Sequence, residues 1–486
     1  MKQYFRLLFF AAIILLLNRV PVIAQNGTII KPTDSVSTFF IRRMKKLGIP
    51  GLQFAIIQHG KIINSGSYGL ANIEYTIPVT SKTVFSIASA TKSFTANALM
   101  QLMEDGLVEL SAPVSKYLDS LPVAWQQVTI KQLLTHTSGI PNIVNPATSL
   151  TIVDGADKAW AKVKTLPMEF NPGERFSYNQ TNYLLLGRII DKLSGKSFSS
   201  FITERQFNVA DMPLTAQSGF VDIYDVVPGN ATLYRYDEGK LKHNFQYAIP
   251  YFLRTGSGIC SNATELARWI IALEKGKLFK SANTLNLMWT PGTLNNGQPG
   301  PWALGWPVKA RHEHFAVGGF GGTRSAFFVY PEDDLAIIIL TNLAGSNPET
   351  FIDEVAGYYI PDMSASTGFG LPADIKIFRS KLLKRGFEHA IEVVEEEKKK
   401  DPGYRLPENE LNAWGYKLIE QDKKNEALEI FKLNINLYPQ SWNVYDSYGE
   451  ALEGCGKKDD AIKMFKQSLK LNPGNTNAAE HLKHLE

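Results

Sequence analysis

Only two cysteines, Cys260 and Cys455, occur in 486 residues. They fall in segments that read as different domains, so no structural disulfide is expected between them and stability must come from packing. Charge of one sign is lacking too: 51 Lys and Arg against 47 Asp and Glu leave a formal net charge of +4, too small to predict a nucleic-acid partner. Long hydrophobic runs are missing. The apolar stretch Leu7–Leu17 has eleven residues, well short of the roughly 18 that cross a bilayer, so no stable membrane span is expected. Metal-ligand clusters are equally scarce. His312, Glu313 and His314 stand together, but strand neighbours point to opposite faces and no second cluster completes a site, so neither a metal nor a cofactor is expected.

What is present fits a folded, multidomain chain, with 44% hydrophobic and 20% charged residues. Lys2 and Arg6 precede the apolar run, and Val22-Ile23-Ala24 follows it. That order reads as a signal peptide over residues 1–24, cleaved after Ala24, and predicts an exported, periplasmic or secreted product. No cysteine follows to carry a lipid. The segment holds Lys2, Arg6 and Arg19 and no acid, so cleavage lowers the charge to 4 − 3 = +1.

From about Ile41 to Asn342, β-rich runs such as Leu52 to Gln58 and Phe327 to Thr341 lie at the two ends and amphipathic helical stretches fill the middle. The pattern predicts an α+β domain over 25–360, with an antiparallel sheet assembled from both ends around a helical insert. Residues 361–372, small, polar and bounded by prolines, read as a linker. Beyond it, Trp414/Tyr448, Gly415/Gly449, Leu418/Leu452, Ala427/Ala461, Phe431/Phe465 and Pro439/Pro473 are each 34 apart, the period of tetratricopeptide helix pairs. Region 373–486 is therefore expected to be an all-α repeat tail able to contact a protein partner, with 373–402 a degenerate first unit.

The chemistry centres on Phe85-Ser-Ile-Ala-Ser89-Ala-Thr-Lys92, followed by apolar residues at helical spacing. Ser89 and Lys92 lie one turn apart on one side of a helix, Ser89 near its N-terminus. A partly buried lysine with a depressed pKa can take the serine proton, and the helix N-terminus favours the negative charge that develops. Further on, Asn171-Pro-Gly-Glu-Arg-Phe-Ser-Tyr178 sets a tyrosine just before an apolar helix. Beside a lysine cation its pKa is expected to fall, letting Tyr178 exchange protons with the serine and the leaving group.

Taken with Gly69-Leu-Ala-Asn72, Asp105-Gly-Leu-Val-Glu-Leu110, Leu134-Thr-His-Thr-Ser-Gly139 and Gly256-Ser-Gly-Ile-Cys-Ser-Asn-Ala-Thr-Glu-Leu266, the chain resembles the serine β-lactamase and penicillin-binding-protein superfamily, in its class C, D,D-carboxypeptidase and family VIII esterase branch. The resemblance covers roughly Val36 to Tyr359. It implies that Ser89 is acylated, that Lys92 activates it and that Tyr178 shuttles the proton. The family's tyrosine motif has Asn two residues after the Tyr, where this chain has Gln180; the same amide on a longer arm is expected to bind the substrate carbonyl.

The family's third motif, Lys or His, a small residue, then Gly, aligns with Ala316-Val317-Gly318, so the basic residue is missing and His314, two residues earlier, is a displaced candidate. The resemblance gives Gly318 and Gly319 to substrate binding, Gly319 supplying the second oxyanion amide beside that of Ser89. His136 is expected to hold its loop rather than act as a base. The reading is an exported serine hydrolase acting on a small-molecule or peptide amide or ester. The competing reading is a weakened ligand-binding module whose repeats recruit a protein.

Overall fold

The computed structural model describes residues 35–145, 150–220, 226–244, 251–309, 311, 313–364 and 367–486. The expected signal peptide and His312 lie outside these residues. The chain divides at Ile360/Pro361 into two compact units.

The first unit is built on a seven-stranded sheet of β1 (Gly51–Gln58), β2 (Lys61–Asn72), β3 (Ile77–Pro78), β4 (Val308–Lys309), β5 (Ala316–Gly321), β6 (Ser325–Tyr330) and β7 (Leu335–Thr341), in the order β3-β2-β1-β7-β6-β5-β4. The central pair comes from opposite ends of the domain. β1 and β7 run antiparallel, from Leu52 opposite Thr341 to Gln58 opposite Leu335. Both are buried along nearly their whole length, and both read as continuous apolar runs because each face of the sheet is covered. Helix α1 (Ser35–Leu47) precedes the sheet, and Phe40 stacks on Phe54 of β1 at 4.4 Å between ring centres. The antiparallel sheet from two ends and the helical insert between β3 and β4 match the expected architecture.

At the centre of the insert lies α2 (Thr91–Glu104), buried continuously from Thr91 to Leu102. A helix buried all round needs its polar side chains paired. Thr95 Oγ1 donates to Thr255 O and Gln101 Nε2 to Leu278 O. Packed beside α2 is α3 (Gln180–Ser194), capped at Asn179, whose side chain accepts from the amides of Thr181 and Asn182. Of the candidate site residues, Lys92 lies on α2 and Gln180 on α3, Ser89 and Tyr178 stand just before them, and β5 lies against the turn that opens α2.

The second unit is helical: α4 (Ala373–Arg385), α5 (Ala390–Lys400), α6 (Glu408–Glu420), α7 (Lys424–Leu437), α8 (Trp442–Gly454), α9 (Lys458–Leu471) and α10 (Thr476–Leu485). A Cβ on Gly415 would meet the Phe431 ring at 2.6 Å, and one on Gly449 the Phe465 ring at 2.7 Å, so the same close helix crossing recurs 34 residues on. Within the expected linker over 361–372, Lys417 Nζ donates to Phe369 O at 2.6 Å and Phe369 is buried.

Candidate active site

Ser89 sits in a 3-10 turn, Ala88–Ala90, that runs directly into α2. The residue before it, Ala88, has φ of +47°, a left-handed conformation that costs a non-glycine residue about 1 to 2 kcal/mol. Neighbouring bonds impose it. Ile87 N donates to Ile259 O, Ser325 Oγ donates to Ile87 O, and Arg324 reaches Ser86 O through Nε and Ser86 Oγ through Nη2. Arg324 is buried, and its Nη1 also donates to Gly322 O. A single guanidinium thereby ties the approach to the nucleophile to the turn between β5 and β6, a link no local pattern in the sequence announced.

Lys92, one turn after Ser89, is wholly buried, and burial holds its amine well below the usual lysine range. Nζ donates to Gln180 Oε1 at 2.9 Å and to Gly256 O at 2.8 Å, and lies 4.7 Å from the centre of the Tyr178 ring. Gln180 thus faces the lysine with its carbonyl oxygen, a role its sequence position did not disclose. Gly256 was quoted only as part of a family string. Its carbonyl is the second acceptor, and a Cβ there would meet Gln180 Oε1 at 2.7 Å and Lys92 Nζ at 3.1 Å.

Tyr178 corrects an expectation. Its pKa does not fall: burial pushes it up to about 12, against the opposing pull of the Ser89 and Gln180 side chains. The argument for a lowered value took Lys92 as a full cation, whereas burial pulls that amine toward its neutral form and desolvation of the phenol itself dominates. The Tyr178 hydroxyl is buried with no completed hydrogen bond of its own, as apo catalytic groups often are.

The Leu134–Gly139 segment frames this tyrosine. His136 O accepts from Ser177 N at 2.9 Å, and His136 Nδ1 accepts from Asn179 N at 3.1 Å. Burial pushes the imidazole pKa well down, so the ring is a neutral brace. Asn142 adds two bonds, accepting from Gln180 N at 3.1 Å and donating to Tyr178 O at 3.4 Å.

On the strand side the residues expected to bind substrate separate. Gly318 N already donates to Pro307 O at 3.0 Å, so its amide belongs to the sheet and not to a ligand. Gly319 lies opposite Phe327 of β6. The glycine touching the nucleophile turn is Gly321, where a Cβ would meet Ser89 N at 2.3 Å; the sequence did not single it out. His314 is not a displaced motif residue. Its Nδ1 pairs with Asp333 Oδ1 at 2.8 Å, beyond the end of β5 remote from Gly321, because Asp333 lies in the turn after β6.

The family model for Beta-lactamase matches residues 36–357. Protein flp of Staphylococcus aureus (strain MW2) is 25% identical over 325 residues, covering 64% of this chain and 63% of its own length; the chain thus spans under two thirds of that relative. Among solved structures, the octameric penicillin-binding protein homologue from Pyrococcus abyssi matches with TM-score 0.59 and 26% identity, covering 71% of this chain and 80% of that one. The D-amino acid amidase from Ochrobactrum anthropi shares the fold, at TM-score 0.57 and 18% identity over 68% of this chain and 99% of its own.

Proposed function

Because the chain belongs to the β-lactamase family, we propose that it is a serine hydrolase that cleaves amide or ester bonds through an acyl-enzyme on Ser89. The observation that carries the reading is the state of Lys92. A neutral amine has two hydrogens and one lone pair; here two acceptors, Gln180 Oε1 and Gly256 O, take hydrogens, which leaves the lone pair for the Ser89 proton. As Ser89 Oγ attacks the carbonyl carbon, Lys92 takes its proton. The oxyanion is held by the Ser89 amide at the head of α2 and by the glycine-rich end of β5, from Gly319 to Gly321. Tyr178, a phenol at neutral pH, protonates the leaving group as the bond to it breaks, and regains a proton from the Lys92 ammonium, which restores both groups. A water then attacks the acyl-enzyme, and the same pair carries its proton to Ser89 as the acid leaves.

The substrate reading follows from the third motif. Ala316 is fully buried and apolar where the family has Lys or His, and His314 is bound to Asp333. A neutral ester or uncharged peptide is therefore preferred over a β-lactam or a D-alanine-terminated peptide, whose carboxylate loses a charged partner worth about 1.5 to 3 kcal/mol. We further propose export by the N-terminal segment, testable by fractionation, and a tetratricopeptide-type tail that contacts a protein or peptide.

The test is labelling of the purified protein with a fluorophosphonate probe. Labelling lost in Ser89→Ala supports the hydrolase; a folded wild type that takes no label favours a ligand-binding module. Efficient turnover of a chromogenic cephalosporin relative to a short nitrophenyl ester would overturn the substrate preference alone.

A further inference from the structure

Beside the Ser89 turn runs a continuous row of rings. Phe320 is the single side chain between Gly319 and Gly321 on β5, next to the glycine that touches the Ser89 amide. Trp302 lies 6.3 Å from Phe320, 5.7 Å from Tyr178 and 5.8 Å from Phe176, ring centre to ring centre, the last pair stacked. Trp302 also meets the neutral His136 ring edge-on at 5.1 Å. The rings therefore lead from the β5 side of Ser89 to its Tyr178 side. Trp302 is buried, whereas Phe176, Tyr178 and Phe320 keep part of their surface open.

Charge does not oppose an apolar occupant here. Lys92 is buried with its amine held toward the neutral form, and Arg175, beside Phe176 in sequence, lies over the Phe170 ring instead, 4.3 Å from its centre. Half-open rings are apolar surface that a bound group covers, and aromatic faces favour another ring by stacking or edge contact. A charged group placed there gives up its water without a partner.

Resting on the acyl-enzyme reading, we infer that this row is an acyl-group subsite for an aromatic or bulky aliphatic side chain of a neutral substrate. The two ends of the row divide the substrate. The scissile carbonyl oxygen points at the Ser89 amide and the β5 glycines, so the acyl chain runs past Phe320; Tyr178, which protonates the leaving group, marks the other end. Phe320 is thus the residue that sets acyl preference.

The experiment compares phenylacetyl and acetyl esters of the same nitrophenol, each rate divided by its rate of alkaline hydrolysis, in wild type and Phe320→Ala. Wild type is expected to favour phenylacetyl by roughly tenfold or more in kcat/KM, the scale on which apolar pockets discriminate. Phe320→Ala should bring that ratio below about threefold. Equal corrected rates in wild type, or an undiminished ratio in the variant, overturn the inference. If Phe320→Ala does not fold, Phe320→Leu keeps the bulk and removes the ring face; an unchanged ratio there is equally fatal. Fluorophosphonate labelling separates the two levels: a labelled enzyme with a flat ratio sinks only the subsite, whereas loss of Ser89 labelling sinks the hydrolase.

Discussion

Adding one methyl group at Gly256 isolates the lysine arrangement from the stability of the fold. In Gly256→Ala the new Cβ stands 2.7 Å from Gln180 Oε1 and 3.1 Å from Lys92 Nζ. Both are ends of flexible side chains, and Gly256 lies in a short helical turn, Arg254–Ser257, with no positive φ. The backbone accepts alanine, so the backbone change by itself alters stability by no more than about 1 kcal/mol. Gln180 must swing away, however, and its 2.9 Å bond to Lys92 is lost. A buried N–H left without an acceptor costs about 1 to 3 kcal/mol. The lysine then rotates to recover a partner, taking its lone pair off the Ser89 proton. With each 1.36 kcal/mol worth a factor of ten, acylation should slow by about tenfold to a hundredfold. The assay is the second-order rate constant for fluorophosphonate labelling, followed beside a thermal melt. A melt within a few degrees of wild type together with labelling within about threefold would refute the view that Gln180 and Gly256 hold Lys92 as the base.

Tyr178→Phe should slow turnover of an alkyl ester, which needs a proton at its leaving group, far more than that of a nitrophenyl ester, which does not; equal losses would remove the tyrosine from leaving-group protonation. Arg324→Met should lower kcat with little change in KM, because it frees the turn that holds Ala88 and Ser89, and added guanidinium should restore part of the rate; no rescue, with KM raised instead, would count against this positioning role. Glu274 is partly buried near Asp334, and burial first, then that carboxylate, raises its pKa to about 7. A raised carboxyl is destabilising when ionised, so its cost is absent below about pH 4 and complete above about pH 7. Glu274→Gln should then raise the melting temperature at pH 8 and leave it nearly unchanged at pH 4.5; equal shifts at both would show that charge is not the cause.

The sheet and the pair Ser89 and Lys92 were legible because each rests on a local regularity: buried apolar runs at the two ends of a domain, and a spacing of three at the head of a helix whose apolar residues recur at helical spacing. What escaped is tertiary. The Lys92 bond to Gly256 spans 164 residues and the Arg324 bond to Ser86 spans 238, and no window of sequence contains either. Tyr178 was misjudged for a different reason. Its neighbour was read as a full charge, whereas burial pulls the Lys92 amine toward its neutral form and raises the phenol's own pKa.

The glycines of β5 and its turn have a bearing on which positions of that strand tolerate substitution. At Gly318 an added Cβ meets Phe327 O at 2.1 Å, at Gly319 the Phe327 ring at 2.5 Å, at Gly321 the Ser89 amide at 2.3 Å, and at Gly322 the Arg324 guanidinium at 2.2 Å. Each of these sites is closed to drift by its neighbours. Phe320 alone, half-open among them, can be exchanged without a backbone collision. Of the five positions from 318 to 322, Phe320 is therefore the one whose side-chain size is least dictated by its surroundings.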